Sequence, residues 1–400
     1  MLIARQPIFN RQKNVVAYEV LFPHQDARNP HDGKNPQEES SLAVGRLFED
    51  GLPPIVGEKT AYINAGYDFL MSETLELLDP ENLMVGITED VLPDEDLIRR
   101  INGLRKKGYR FALDDYEEEM THSLLGHVRV VKYDLRKTPM DKINLEKIRS
   151  SNRDALALAE NIDTTEEFMK AKEMGFEYFQ GLFFRKPEVM ESTEKKNQIN
   201  KNSLRIFREL QKDEPSFTRL EEMISMDSKM TYTLIRISSK AYNQKKEFTL
   251  MRALTNMGLR QLQRWIYILM LQSASKGKPD ELMSLALVRL GFGEEIARNS
   301  VLRQRREEIA LMCLLSVIDA MLDEPMEQAL SEIQISRDIK DALISRTGDL
   351  AVVMKLIDGY ESGEWTEVEE ISKRLKISSD VVSRIYIETV RWADEVMKEL

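Results

Sequence analysis

Seven short apolar runs in the first 190 residues each end in a polar residue able to do chemistry, and this pattern constrains the fold more than any other feature. The runs are VVAYE (Glu19), AYIN (Asn64), LMVGITE (Glu89), RFALDD (Asp114, Asp115), VVKYD (Lys132, Asp134), ALALAEN (Glu160) and EYFQG (Gln180). Most are separated by stretches of helical character, such as LEKIRSS and TTEEFMKAKEMG. Strand–helix alternation implies a parallel sheet, because parallel strands need crossover connections. About eight such units would close a (β/α)₈ barrel, whose active site gathers at the C-terminal strand ends. An open doubly wound sheet would carry equally polar strand ends, so periodicity alone leaves both architectures open.

The rest of the chain behaves differently. Ten of the thirteen prolines and all four histidines precede residue 190. The polar segment Glu191–Ser203 has no periodicity and reads as a linker. Beyond it, Leu220, Met223 and Ile224 follow the i, i+3, i+4 spacing of a buried helix face. Asp227 is placed to cap the next helix. Similar stretches recur at Leu282–Ala297, Glu308–Leu322 and Val381–Leu400. The expected class is therefore α/β plus all-α: a barrel over 1–190, a linker over 191–203 and a helical domain over 204–400.

Composition removes several alternatives. A net charge of −11 argues against direct nucleic-acid binding. The longest apolar run, Trp265–Leu271, has seven residues, far short of the roughly 18 that a membrane span needs. The single cysteine, Cys313, excludes an internal disulfide framework and a cysteine-based zinc site. A soluble cytoplasmic protein is expected.

The strand ends resemble the EAL domain, the cyclic di-GMP phosphodiesterase family, a (β/α)₈ barrel. Its Glu-Ala-Leu appears as Glu19-Val20-Leu21, its Asn strand end as Asn64, and its Asp-Asp pair as Asp114-Asp115. Its Lys-x-Asp is Lys132-Tyr133-Asp134, and its Ala-Glu-Gly-Val-Glu-Thr is Ala159–Thr164. The ending Gln-Gly-x-x-Phe-x-x-Pro looks like Gln180–Pro187. The opening ARQPIF…AYEVLF resembles the subgroup in which EAL precedes an HDOD domain. The second half agrees: DSKMTYTLIRISSKAY and FTLMRALTNMGLRQL are similar to HDOD segments. Ser316-Val317 stand where a related HD hydrolase would carry its metal-binding His-Asp pair, and no histidine follows residue 190.

The resemblance implies metal-assisted hydrolysis, in which two cations about 4 Å apart clamp the attacking and leaving oxygens. Glu19, Asn64, Asp114 and Glu160 would then ligate metal, Asp115 would hold a second ion, and Lys132 would orient the attacking water. Gln180 would line the ligand site, with Arg185 and Lys186 near the last strand end offering cations to the phosphates. Three departures weaken that chemistry. Gly86 stands where the family has a metal-ligating Glu, and Pro23 where it has a phosphate-binding Arg. The glycine-rich loop after the Asp pair is replaced by Tyr116–Thr121. The leading expectation is a signalling protein with an inactive EAL site and a noncatalytic HDOD domain, acting through contacts with an unidentified signalling protein. The alternatives are a cyclic di-GMP sensor and a weakly active phosphodiesterase. No bound cofactor is expected, or Mg²⁺ or Mn²⁺ if the site is active. No membrane partner is expected, and self-association would run through the barrel as a homodimer.

Overall fold

The computed structural model describes residues 2–23, 52–117, 123–186, 201–212, 214–242, 249–331 and 333–399. Its first part is a closed eight-stranded barrel, ordered β1 to β8 in sequence. The strands are β1 Ala4–Asn10, β2 Val15–Leu21, β3 Thr60–Ala65, β4 Leu83–Ile87, β5 Arg110–Leu113, β6 Val130–Asp134, β7 Leu156–Ile162 and β8 Tyr178–Gly181. All seven apolar runs form strands; the eighth, β1, was not among them. It runs antiparallel to both neighbours, pairing Gln6 with Glu19 on β2 and Phe9 with Phe179 on β8. The barrel thus has seven parallel strands and one reversed strand.

The reversal is local in origin. Asn10 Oδ1 accepts the backbone N–H groups of Gln12 and Asn14, and Lys13 takes a left-handed φ of 61°. Together they turn the chain tightly enough for a hairpin, which joins antiparallel strands only. Elsewhere the crossovers carry helix signals. Thr164 and Glu167 form a reciprocal capping box at the start of the helix Thr165–Met174. Gly175, at φ 104°, ends it in the left-handed conformation that glycine adopts without strain.

Side chains inside the barrel stack in layers because strand residues alternate in direction. One apolar layer consists of Ile8, Ala17, Tyr62, Met84, Ala112, Val130 and Leu158, with Tyr178 packed against it. Two residues further toward the mouth on each strand lie Gln6, Glu19, Asn64, Gly86, Asp114, Lys132, Glu160 and Gln180. The apolar layer thus forms the floor of a polar layer to which every strand contributes one position.

The remainder is helical, from Lys201–Leu210 to Ser379–Glu399. Asp227 caps as expected, its Oδ1 accepting the N–H of Met230 at 3.0 Å. The helical stretch expected over Glu308–Leu322 forms two helices, Arg306–Leu315 and Ile318–Leu322. The break falls at Ser316-Val317, where Ser316 Oγ donates to the carbonyl of Cys313 at 2.6 Å and accepts from Arg289 Nη1 at 2.9 Å. No helix among the described residues is long and apolar enough to cross a membrane.

Packing divides the chain into two compact units, which are not the contiguous 1–190 and 204–400. One comprises Met1–Lys186, Gly291–Ile309 and Val352–Leu400; the other comprises Pro187–Leu290 and Ala310–Ala351. Specific contacts hold Val352–Leu400 in the barrel unit. The Tyr360 hydroxyl donates to the carbonyl of Ile3 at 2.8 Å, and the Tyr386 hydroxyl accepts the N–H of Arg5. The Arg5 guanidinium pairs with Asp394 at 3.1 Å and lies over the Tyr18 ring.

Candidate functional site

Lys132 organises the polar layer. Its ammonium lies 2.7 Å from Glu160 Oε1, 3.0 Å from Glu19 Oε1 and 3.1 Å from Asp114 Oδ1, with only 2% of its side chain exposed. Asn64 Nδ2 donates to Glu19 Oε1 at 3.0 Å. Gln180 Nε2 donates to Glu19 Oε2 at 2.7 Å and to Gln6 Oε1 at 3.0 Å. Six of the sequence-derived residues, five on strands β2, β3, β6, β7 and β8 and one directly after β5, are therefore brought together: Glu19, Asn64, Asp114, Lys132, Glu160 and Gln180.

Electrostatics split the three carboxylates. Burial pushes Glu19 upward, but Lys132 and the donors Gln180 and Asn64 outweigh it and hold this group below its ordinary value. Asp114, with fewer donors, is pushed by burial up to about 6. Burial pushes Glu160 up to about 8, against the pull of Lys132 and with the neighbouring carboxylates adding to the rise. Burial alone would favour a neutral Lys132; the three carboxylates reverse this and raise it well above the usual lysine value. Three carboxylates face one ammonium, leaving two negative charges uncompensated when all are ionised.

Gly86 is the one position of the layer without a side chain. A Cβ there would stand 2.5 Å from Asn64 Oδ1 and 2.9 Å and 3.1 Å from the two oxygens of Asp114. Asn64 Oδ1 is buried without a hydrogen-bond donor among the described residues, and Asp114 Oδ1 faces the Lys132 ammonium at 3.1 Å. Oxygen donors, surplus negative charge and these two oxygens beside Gly86 fit a hard divalent cation. Glu19, Asn64, Asp114 and Glu160 are the residues that would hold it. Among the described residues, no group of three or more His, Cys, Asp or Glu side chains is arranged to grip an ion as it stands. The ammonium of Lys132 occupies the centre of the acidic set, so admitting a divalent ion takes a shift of its contacts.

The other sequence-derived residues lie outside this cluster. Asp115 adopts a left-handed φ of 48° and pairs with Lys137 at 2.9 Å. Glu89 contacts the same lysine at 3.2 Å, and its hydrogen bond with Asp115 raises it above its usual value. Arg185 Nη1 contacts Glu361 Oε2 at 2.8 Å, with 17% and 6% of the two side chains exposed. Lys186 is exposed, and Pro23 follows the end of β2, half-buried. In the altered loop, Tyr116 is buried edge-on against Tyr133, whereas Glu118–Thr121 lie outside the described residues. Sequence reasoning missed Gln6, although its period-two relation to Ile8 carried the signal, and Glu361, for which there was none.

Comparison with known proteins adds the following. Residues 68–187 match the EAL domain family and residues 197–333 match the HDOD domain family. The chain is 28% identical over 407 residues to the cyclic di-GMP phosphodiesterase CdgJ of Vibrio cholerae serotype O1 (strain ATCC 39315 / El Tor Inaba N16961), covering 98% of this chain and 92% of that protein. It is 26% identical over 410 residues to the uncharacterized protein YuxH of Bacillus subtilis (strain 168), covering 99% of each. A standalone versatile EAL protein from Vibrio cholerae O395, solved in its c-di-GMP bound form, aligns with a TM-score of 0.35 at 22% identity, covering 47% of this chain and 92% of that one.

Proposed function

Since this chain carries an EAL domain followed by an HDOD domain, we propose that it is a cyclic di-GMP signalling protein whose barrel binds the dinucleotide together with a divalent cation and does not hydrolyse it at an enzymatic rate. The full-length likeness to a cyclic di-GMP phosphodiesterase supports the nucleotide. The observation that carries the reading is the polar layer: seven of its eight positions keep a polar side chain, and the eighth, Gly86, supplies no oxygen.

Glu19, Asn64, Asp114 and Glu160 would hold Mg²⁺ or Mn²⁺, which when bound neutralises phosphate charge and polarises the phosphodiester. Lys132 anchors the carboxylates, and Gln180 fixes the rotamer of Glu19 through its 2.7 Å hydrogen bond. Hydrolysis also needs a base-activated water held in line with the leaving oxygen. Gly86 removes one carboxylate from that task, and Pro23 supplies neither charge nor donor to the phosphates. We place the protein in the cytoplasm and the boundary between the two domains within 191–203, a span that overlaps the gap between the matched ranges, which end at 187 and resume at 197. The helical domain passes the signal on by protein contact: Ser316 and Val317 offer none of the imidazole or carboxylate ligands of HD chemistry.

The test is to incubate the full chain with cyclic di-GMP and Mg²⁺ or Mn²⁺, and separately to titrate binding in Ca²⁺. Binding without accumulation of linear product is expected. Turnover on the order of 1 s⁻¹ or faster, or no binding in any of the three ions, refutes the reading. A second reading, a relic barrel serving protein contacts alone, is favoured by the Lys132 ammonium, which already contacts all three carboxylates; failure to bind would select it.

A further inference from the structure

The helix Asp349–Ser362 places Glu361 at the mouth of the barrel. Glu361 is 6% exposed, and it uses both its backbone and its side chain there. Its carbonyl accepts from Gln6 Nε2 at 2.9 Å. Gln6 Oε1 accepts from Gln180 Nε2, which also donates to Glu19. Its carboxylate accepts from Arg185 Nη1 at 2.8 Å, in the turn immediately after β8. An unbroken chain of hydrogen bonds therefore joins this helix to the acidic set.

Arg185 is the cation that follows the last strand end, on the side of the mouth where Gln180 stands. Its guanidinium rests near the Phe184 ring and is neutralised by a buried carboxylate from a helix some 175 residues further along the chain. A phosphate approaching the mouth must compete with Glu361 for the same fork of donors. Carboxylate and phosphate both suit the guanidinium geometry, so the two are alternative partners.

We propose that Glu361 is an autoinhibitory latch: it holds Arg185 away from anionic ligands, so that occupancy of the barrel mouth and docking of the helix Asp349–Ser362 oppose one another. This rests on the reading of the barrel as a cyclic di-GMP site. The latch gives the helical part of the chain a means of setting the barrel's affinity, because whatever loosens the helix also releases the arginine from Glu361. Coupling is reciprocal, so ligand in turn loosens the helix.

The experiment uses the full chain as wild type, Glu361→Gln, Arg185→Gln and the double variant. Cyclic di-GMP is titrated in Ca²⁺, and amide exchange over 352–362 is followed with and without ligand. Glu361→Gln is expected to bind roughly 5- to 150-fold more tightly than wild type, and the gain is expected to vanish in the double variant. Arg185→Gln alone should weaken binding, since it removes the guanidinium the phosphate would take and leaves the Glu361 carboxylate beside the mouth without that cation. In wild type, ligand should speed exchange over 352–362. A Glu361 that merely supports the fold would give weaker binding, never tighter, on substitution. Unchanged or weakened binding in Glu361→Gln overturns the latch while leaving the binding site intact. If no variant binds, the cyclic di-GMP reading and its opposition to the helix both fall. The ligand-free arm then judges the tie itself: Glu361→Gln and Arg185→Gln must speed exchange over 352–362 equally and non-additively, and unchanged exchange refutes it.

Discussion

Replacing Lys132 by methionine keeps the length of the side chain and removes the charge, and the structure sets the size of the effect. The ammonium is buried against three carboxylates at 2.7–3.1 Å. Removing one partner of a buried ion pair costs about 3–5 kcal/mol, because the charge left behind is uncompensated. The carboxylates can escape this only by taking protons. Glu160, pushed up to about 8, is largely protonated at pH 7.5, whereas Asp114, at about 6, is not. Lys132 itself holds the Asp114 value down, so without it Asp114 takes up a proton more readily as pH falls. The variant should therefore lose about 3–5 kcal/mol at pH 7.5 and less at pH 5.5. The pH dependence belongs to the carboxylates. Lys132 is raised in the folded state, so its contribution is fully present below the ordinary lysine value and fades only as pH climbs through the raised one. Urea unfolding at both pH values, with an unchanged denaturant slope, measures the difference. A loss below about 1 kcal/mol at pH 7.5, or an equal loss at both pH values, would show that Lys132 is not the electrostatic centre of the layer.

Gly86→Glu should restore no hydrolysis and should cost about 1–3 kcal/mol of stability, since its Cβ would stand 2.5 Å from Asn64 Oδ1; a phosphodiesterase assay and a thermal melt decide both parts. Affinity for Ca²⁺ should rise between pH 6 and pH 8 with release of a proton, because Glu160 holds its proton up to about 8 and must lose it to ligate; calorimetry in two buffers of different ionisation enthalpy would detect a flat, proton-independent profile if the assignment is mistaken. Arg5→Met should cost about 1–3 kcal/mol by leaving the buried carbonyl of Ile55 without its donor at 2.6 Å, and should raise amide exchange over Ser379–Glu399, where its other partner, Asp394, lies. Limited proteolysis should cut first within 191–203; a first cut inside Ala155–Gly181 would move the end of the barrel.

How much of this was legible follows from the range over which each determinant acts. Strands β2 to β8 announced themselves because each carries its own apolar run, and the polar residue two positions beyond the apolar layer follows from the period of a strand. The choice of a barrel over an open sheet did not follow, because closure depends on β1 pairing with β8, and that contact has no local signature. β1 itself interrupts its apolar residues with Arg5 and Pro7, and the partners of the guanidinium, the Tyr18 ring and Asp394, lie outside the strand. The gathering of Glu19, Asn64, Asp114, Lys132, Glu160 and Gln180 could be anticipated from their strand ends. The separation of Asp115 from them could not, since it depends on a single left-handed residue that turns its carboxylate to Lys137. Least legible was Glu361, whose role comes entirely from where a distant helix packs.

The contact between Arg5 and Asp394 spans 389 residues of chain. At about 5–20 residues per second of synthesis, the first strand waits roughly 20–80 s for the helix that covers it. During that interval the strands of the barrel can pair, but the Arg5 guanidinium lacks Asp394 and the carbonyl of Ile3 lacks the Tyr360 hydroxyl. A nascent barrel of this kind is open to chaperones and to wrong partners for longer than a barrel whose covering helices alternate with its strands. Its refolding should be correspondingly slow, because the loop closure that completes it is among the longest the chain allows.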